Sequence, residues 1–231
     1  MEQKKLKYSN DTFLESIIKK LAFKYFRRLT APRYPYLIEP IQISNIILSL
    51  EKLKNIKGSI LEIGVARGMT SYFIAEHIST KTNLKEKFYC IDTFESFTEE
   101  DIEFEVKNRK KDKNKLNAFN YNDYHIWKKN FEQFTFLSAI KSDVKKFDFS
   151  QVAPIKFCFL DVDLYQPTLV ALENMEKHLH PEAIIMLDDI ADNNRWDGAF
   201  QAANEFVEKR NLILKRFGNK GGSINYASKN T

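Results

Sequence analysis

The chain has 231 residues, of which 43% are hydrophobic and 29% charged, a composition typical of one globular domain with a substantial core. No run of about 18 apolar residues occurs, and the first residues lack the apolar stretch of a secretory signal, so we expect no transmembrane segment. The formal charge of +5 is uneven, because residues 1–33 hold nine Lys/Arg against three Asp/Glu. The rest of the chain is close to neutral, which does not favour a nucleic-acid partner.

The first predicted element is an amphipathic helix over residues 10–28. Apolar residues recur there at helical spacing, and five Lys or Arg side chains surround them. Such a helix packs on its own domain or on a second subunit of a homo-oligomer, or it lies on an anionic membrane surface, and both interpretations stay open. Pro32, Pro35 and Pro40 then predict an extended connector. We therefore take residues 1–41 as an N-terminal segment and 42–231 as the main domain.

From residue 42 onward, predicted helices and strands alternate. Strand-like runs lie at 59–64, 87–92, 134–140, 155–161 and 183–188, and helical segments lie at 42–54, 69–79, 124–133, 165–179 and 196–209. Most of the strands are apolar on both faces, as strands of a parallel sheet covered by helices must be. The pattern predicts an α/β fold with a mostly parallel, doubly wound sheet. The Gly-rich turn in the tail predicts an antiparallel hairpin at the C-terminal edge of the sheet.

Two features stand outside this alternation. Residues 98–115 contain six acids, mostly ahead of six bases, with little apolar periodicity. This predicts a long irregular insertion over 98–123, in the place where a lid forms. Cys90 and Cys158 each lie within a strand-like run and lack metal-ligand spacing, so we expect reduced core cysteines of a cytoplasmic protein.

The first strand-to-helix turn carries two glycines with an acid ahead of them. Gly64 and Gly68 let the backbone turn sharply and approach a ligand, and the helix beyond offers free N–H groups. The spacing is wider than the G-x-G-x-x-G of dinucleotide sites, and Glu62 would repel a pyrophosphate but suits a cationic ligand. Asp92, at the end of the second strand, is placed to bind ribose hydroxyls, with the nearby Glu95 as the alternative.

Four acids follow two later strands. Asp161 and Asp163 come after the fourth strand, and Asp188 and Asp189 come after the fifth. Ligands bind open α/β sheets at the carboxyl ends of strands, so these carboxylates are expected to converge at such a site. Convergent carboxylates are costly without a cation between them, and a hard divalent ion such as Mg²⁺ fits that need. The alternative is that they serve only a cationic ligand or the solvent.

Three runs of sequence resemble the macrocin O-methyltransferase family. They are LEIGVARGMTSY, CIDTFESF and FLDVDLYQPTLVALENMEKHLHPEAIIMLDDI, and the resemblance covers roughly residues 36–210. More loosely, the chain is similar to catechol O-methyltransferase. The resemblance implies a Rossmann-like class I methyltransferase with a seven-stranded sheet. It also implies S-adenosylmethionine, a divalent cation held by carboxylates, and a hydroxyl of a sugar or sugar-containing small molecule as methyl acceptor.

Carried over by position, the resemblance gives each candidate residue a role. The implied metal ligands are Asp161, Asp188 and Asp189. The implied cofactor contacts are Glu62, Gly64, Gly68 and Asp92, and Ser142 and Asp143 fall where such enzymes contact the adenine. The candidates for the general base are Asp163 and His125.

Two other functions stay open beside this one. A metal-independent class I methyltransferase acting on another small molecule would give the acids a different role. A non-catalytic nucleotide-binding Rossmann-like domain would keep the fold without turnover. The second is less favoured, because buried carboxylates without a use are destabilising.

Overall fold

The computed structural model of the chain describes residues 12–80, 87–192 and 194–227. The described residues fall into two compact units, which divide between Tyr36 and Leu37. The boundary between them falls within the proline-containing stretch expected to be a connector. Among the helices of the described ranges, none is both long and apolar enough to cross a membrane.

The described part of the first unit contains two helices, α1 (Phe13–Tyr25) and the short α2 (Arg27–Thr30). A capping box starts α1, since Thr12 accepts a hydrogen bond from the Glu15 backbone and Glu15 accepts one from the Thr12 backbone. The predicted helix over 10–28 is therefore present from residue 13, while residues 10 and 11 lie outside the described residues. The apolar side chains of α1 are exposed, with Phe13 at 84%.

The second unit is a seven-stranded sheet with helices. Its elements are α3 (Pro40–Lys52), β1 (Ser59–Ile63), α4 (Met69–Ser79), β2 (Phe88–Asp92), α5 (Glu99–Arg109), α6 (Tyr124–Asn130), β3 (Leu137–Lys141), β4 (Ile155–Leu160), α7 (Tyr165–Glu176), β5 (Leu179–Leu187), α8 (Asp197–Arg210), β6 (Leu214–Phe217) and β7 (Gly221–Asn225). The strands follow the order β3-β2-β1-β4-β5-β7-β6. Strands β1 to β5 are mutually parallel, and β7 runs antiparallel to both of its neighbours.

This topology confirms the predicted fold, including the antiparallel C-terminal hairpin. Every residue of β1 and of β4 is buried, because helices cover both faces of the central sheet. The core therefore fills with aliphatic and aromatic side chains such as Leu61, Ile185 and Phe206. The carboxyl ends of β1, β2, β4 and β5 lie at one edge of this sheet, and that edge carries the polar residues.

The expectation of an irregular insertion over 98–123 is wrong for its first half. Thr98 caps α5 by accepting a hydrogen bond from the Asp101 backbone, and the first turn of the helix is acidic while its last turn is basic. That distribution stabilises a helix through its macrodipole, without any need for apolar periodicity. The pairs Glu103–Lys107 and Glu105–Arg109 add contacts across one turn, each at 2.6 Å.

Element boundaries differ most around α6 and β3. The predicted helix 124–133 ends at Asn130, and the strand predicted from 134 begins at Leu137. Phe131 stacks on Trp127 with ring centroids 4.0 Å apart, and Phe134 packs edge-on against Tyr72. The apolar residues that were predicted to end the helix and to begin the strand therefore lie in the turn between α6 and β3. There they form an aromatic cluster.

Candidate active site

A cavity of about 310 Å³ lies at the carboxyl ends of β1, β2, β4 and β5. Ligands of open α/β sheets bind at this edge, and the volume suits a small molecule. Nine of the eleven predicted site residues line the cavity, namely Glu62, Gly64, Asp92, Ser142, Asp143, Asp161, Asp163, Asp188 and Asp189. Gly68 and His125 are not among the lining residues.

The turn after β1 requires glycine at two positions. Gly64 has a φ of +83°, and a Cβ atom there would overlap the carbonyl oxygen of Asp161. Gly68 precedes α4 with a φ of +84°, and a Cβ atom there would lie 2.5 Å from the Phe131 ring. Both positions therefore exclude other residues by conformation and by space. The close approach of Gly64 to Asp161 joins the turn after β1 to the acids after β4.

Glu62 is a buried carboxylate in the wall of the cavity. Its residue is 1% exposed, and its Oε2 atom has no hydrogen-bond partner among the described residues. Burial raises the pKa of Glu62 to about 8, the Ser71 hydroxyl opposes the shift, and the charge of Asp92 adds to it. A cationic ligand group beside Glu62 would satisfy this oxygen and favour its ionised form.

Asp92 holds the turn after β1 in place. Its Oδ2 atom accepts a hydrogen bond from the Val65 backbone at 2.7 Å and a longer one from Ala66, while Oδ1 accepts from Phe94 at 2.6 Å. Burial raises the pKa of Asp92, and these hydrogen bonds oppose the shift. The sequence predicted a ribose contact for Asp92 and gave no indication of this positioning role. The alternative acid, Glu95, is exposed and pairs with Lys141 at 2.5 Å.

Ser142 and Asp143 follow β3 at the same edge. The Ser142 backbone N–H donates to the Asp92 carbonyl at 2.9 Å, which ties the end of β3 to the end of β2. Asp143 accepts a hydrogen bond from the Lys145 backbone at 3.0 Å and starts a short helical turn. Both residues line the cavity beside Asp92, so their predicted contact with an adenine ring is sterically open.

Three acids after β4 and β5 converge. Asp161, Asp163 and Asp189 each present an oxygen within 4.8 Å of the others, a spacing that a metal ion can bridge. Burial first, and then the neighbouring acids, raise the pKa of both Asp161 and Asp163 well above the usual range. Asp163 and Asp189 also have positive φ values of 62° and 56°. Backbone strain of this kind is concentrated at functional sites.

Asp188 points to other partners. Its Oδ1 atom accepts hydrogen bonds from Gln42 Nε2 at 2.7 Å and from the Asp189 backbone at 2.8 Å. Its Oδ2 atom accepts from Lys220 Nζ at 2.7 Å, and the same ammonium lies 3.4 Å from Asp189. The three acids that converge are therefore Asp161, Asp163 and Asp189. The resemblance implied Asp188 as a metal ligand in the place of Asp163.

Two residues that contact the acids, Gln42 and Lys220, were not predicted from the sequence. Lys220 lies in the turn between β6 and β7, and only the insertion of β7 beside β5 brings this turn to the end of β5. The strand order of the implied fold was the signal that could have predicted Lys220, because it places the hairpin turn near the end of β5. Gln42 lies in the first turn of α3 and carries no local signal, because its partner is 146 residues away.

Of the two candidate bases, the structure brings only Asp163 to the cavity. His125 is exposed on α6, where its ring lies against Tyr124 with centroids 5.4 Å apart. Asp163 is 7% exposed and belongs to the convergent acid cluster.

Aromatic side chains form another part of the cavity wall. Phe97 makes edge contacts with Phe119 and Trp196, with ring centroids 5.6 and 5.4 Å apart. All three line the cavity, together with Tyr121 and Asn122 of the segment predicted to be a lid. Asn122 donates a hydrogen bond to the Ala66 carbonyl at 2.9 Å, which links this segment to the turn after β1.

Helix α5 braces the loop that carries Asp163. Glu105, 1% exposed, accepts a hydrogen bond from the Tyr165 backbone at 2.8 Å and pairs with Arg109. Arg109 also bonds Asp197 at the start of α8, at 2.8 Å. These contacts fix the start of both α7 and α8 beside the acid cluster.

Comparison with known proteins identifies the class. The structure is similar to that of the O-methyltransferase NovP, with a TM-score of 0.67 and 16% identity over 84% of this chain and 82% of that one. It is similar to CalS11, a calicheamicin methyltransferase, with a TM-score of 0.64 and 18% identity over 94% of each chain. A second CalS11 structure, described as a TDP-rhamnose 3'-O-methyltransferase, has a TM-score of 0.56 at 18% identity over 94% of this chain and 96% of that one. At these identities the likeness shows the fold, which is that of class I methyltransferases.

The sequence profile described as macrocin O-methyltransferase (TylF) matches residues 42–215. The chain therefore belongs to the macrocin O-methyltransferase family, and the resemblance inferred from its sequence is confirmed. It is an S-adenosylmethionine-dependent O-methyltransferase. A search among curated protein sequences returns no match.

Proposed function

We propose that the enzyme methylates a hydroxyl of a sugar or sugar-containing small molecule, with a divalent cation, Mg²⁺ by its chemistry, held at the acid cluster. The observation that carries this proposal is the convergence of Asp161, Asp163 and Asp189 beside the cavity. CalS11 supports the acceptor class, since one of its structures is described as a TDP-rhamnose 3'-O-methyltransferase.

The residues present fit a hard divalent ion. All the donors are carboxylate oxygens, which Mg²⁺ prefers, and the raised pKa values of Asp161 and Asp163 indicate that the cluster lacks positive charge. Asp161 and Asp189 belong both to the set implied by the family and to the set that the geometry brings together. We propose these two as ligands, with Asp163 or Asp188 completing the set. A bound divalent ion supplies Lewis acidity, which lowers the pKa of a hydroxyl near it.

The chain's own residues prepare the methyl donor side. S-adenosylmethionine supplies a methyl group on a cationic sulfur, and the buried Glu62 carboxyl, whose pKa is raised to about 8, would ionise beside a cationic ligand group in this wall. Gly64 and Gly68 shape the turn, Asp92 would hold the ribose hydroxyls, and Ser142 and Asp143 would contact the adenine. Holding donor and acceptor in line is expected to supply most of the rate enhancement.

Asp163 is the proposed general base. Its raised pKa makes its carboxylate a stronger base than an ordinary aspartate, provided that positive charge nearby keeps it ionised. The carboxylate would accept the proton of the acceptor hydroxyl, and Glu105 keeps the following Tyr165 backbone in place. The wall formed by Phe97, Phe119 and Trp196 offers apolar surface for the rest of the acceptor.

Two measurements test the proposed function. Calorimetry should detect binding of S-adenosylmethionine to the purified protein. Transfer of a labelled methyl group should then be measured over free sugars, nucleotide sugars, glycosides and catechols in the presence of Mg²⁺. Transfer confined to catechols or to acceptors without a sugar would contradict the acceptor class.

A metal-independent methyltransferase is the second candidate, and one observation favours it. Lys220 already places a positive charge against Asp188 and Asp189, at 2.7 and 3.4 Å. In that case the acids would position Lys220 and the loops, and turnover would survive a chelator. Against it, this ammonium contacts Asp188 and Asp189, and the pKa values of Asp161 and Asp163 stay well above the usual range despite it.

The apolar side chains of α1 are exposed, and a second subunit and an anionic membrane surface remain the two predicted partners for them. We propose contact of α1 with one of them, and location of the enzyme in the cytoplasm. Co-sedimentation with anionic vesicles supports the membrane, whereas a dimer mass that falls in a Phe13→Ser/Phe23→Ser variant supports the subunit. If the protein neither sediments with the vesicles nor shows such a change in mass, the proposed contact of α1 is contradicted.

A further inference from the structure

Lys220 is fixed at the acid cluster by contacts on both sides of its backbone. Its N–H and that of Asn219 donate to Glu39 Oε2, and its carbonyl accepts from the Ile190 backbone at 2.7 Å. Gly218 allows the turn, because its φ is +62° and a Cβ atom there would overlap the Glu39 carboxylate. The turn between β6 and β7 therefore delivers this ammonium to Asp188 and Asp189.

The ammonium compensates charge that the cluster holds. Its Nζ atom lies 2.7 Å from Asp188 Oδ2 and 3.4 Å from Asp189 Oδ1. An ammonium group therefore already contacts Asp189, a proposed metal ligand. Asp188, in turn, has both of its oxygens occupied, one of them by Lys220.

We propose that Lys220 is a built-in counter-cation that competes with the divalent ion for Asp188 and Asp189 and thereby weakens its binding. This inference rests on the proposed metal site. A cation between Asp161, Asp163 and Asp189 would lie close to the ammonium and repel it. Binding of the ion would therefore displace Nζ from Asp189, and displacement of Nζ from Asp188 as well would free an oxygen of Asp188. The ion must then overcome the repulsion by Nζ and the loss of the contacts between Nζ and the aspartates. Removal of the lysine charge relieves both of these costs.

The experiment measures metal affinity directly, without turnover. Mn²⁺ is titrated into the full-length protein and its free concentration is followed by electron paramagnetic resonance. We expect Lys220→Met to bind Mn²⁺ about tenfold or more tightly than the unaltered protein, because a like charge near the ion is gone. Lys220→Arg, which keeps the charge, should stay near the unaltered value.

Further variants secure the interpretation. Lys215→Met removes a charge from an exposed position of β6 in the same hairpin and should leave the affinity unchanged. Lys220→Gln removes the charge but keeps a hydrogen-bond donor for Asp188, so it substitutes for Lys220→Met if that variant does not fold. Affinity no higher than that of the unaltered protein in the folded charge-free variants would overturn the proposal.

S-adenosylmethionine binding, measured on the same samples, separates this proposal from the proposed function. If the unaltered protein binds Mn²⁺ and the charge-free variants bind it no better, only the role of Lys220 fails. If no variant binds Mn²⁺ while S-adenosylmethionine still binds, the metal site and the role of Lys220 fail together. The methyltransferase assignment then stands.

Discussion

Glu62→Gln should remove a pH-dependent loss of stability from the ligand-free enzyme. The unfolded glutamate releases its proton near the ordinary glutamate pKa of 4.5, whereas burial keeps the folded pKa at about 8. Between these values the unfolded state binds fewer protons than the folded state, so stability falls as the pH rises. Below this window Glu62 is neutral in both states and contributes no such loss. Glutamine is neutral at every pH and similar in size.

The magnitude follows from the shift of the pKa. A difference between 4.5 and about 8, at about 1.4 kcal/mol for each pH unit, corresponds to about 5 kcal/mol once both states are ionised. Between about pH 5 and about pH 8.5, the linkage relation leaves about 4 kcal/mol of this difference to be observed. The Gln variant should therefore gain about 4 kcal/mol of unfolding free energy, relative to the unaltered protein, over this interval.

Urea unfolding at the two pH values measures the effect. The pH dependence contributed by the buried aspartates is common to both proteins, so it largely cancels in the difference between them. Glu95→Gln is the matched control, because it makes the same carboxyl-to-amide change in the same cavity wall at an exposed position. If Glu62→Gln and the unaltered protein differ by the same free energy at both pH values, the claim that burial holds Glu62 protonated is refuted.

Three further predictions concern the cofactor turn and the lid. Asp92→Ala should weaken S-adenosylmethionine binding by about 1–3 kcal/mol, since charge-assisted hydrogen bonds are lost, and unchanged affinity by calorimetry in a folded variant would reject the assignment. Gly64→Ala should destabilise the protein by about 2 kcal/mol or more in urea unfolding, because its φ is +83° and the methyl group meets the Asp161 carbonyl, and a loss below about 0.5 kcal/mol would contradict this. Limited proteolysis should cut within residues 117–123 earlier in the digestion than within α5, and cofactor plus acceptor should protect the segment. Equal cleavage with and without ligands would count against a lid.

The sequence predicted the parts of the fold that local patterns encode. Eight of the eleven residues of β1 and β4 are apolar, which is typical of strands buried on both faces. Acids directly after apolar strands identified Asp92, Asp161 and Asp188 as cavity residues, because a parallel sheet brings strand ends to one edge. Gly64 was predictable for the same reason, since a strand that turns into a helix at this edge passes close to its neighbour.

Other features depend on partners that no local pattern reveals. The acids and bases of α5 were taken as irregular because they lack apolar periodicity, although acids at the start and bases at the end of a segment favour a helix. Asp188 is turned away from the cluster by Gln42 and Lys220, which are 146 and 32 residues distant in the chain. The geometry therefore favours Asp163 in the convergent set, where position alone implied Asp188.

Methyl transfer from labelled S-adenosylmethionine to a sugar acceptor, in Mg²⁺ and in excess chelator, tests the central claim most directly. In the proposed function, Asp161 and Asp189 hold the cation that binds the acceptor, whereas the proposed cofactor residues lie mainly at or after the ends of β1, β2 and β3. Transfer should therefore occur in Mg²⁺ and disappear in chelator, while the affinity for S-adenosylmethionine stays the same. Asp189→Asn should reproduce this result in the presence of Mg²⁺. Undiminished transfer in chelator would contradict the account and assign the enzyme to the metal-independent methyltransferases.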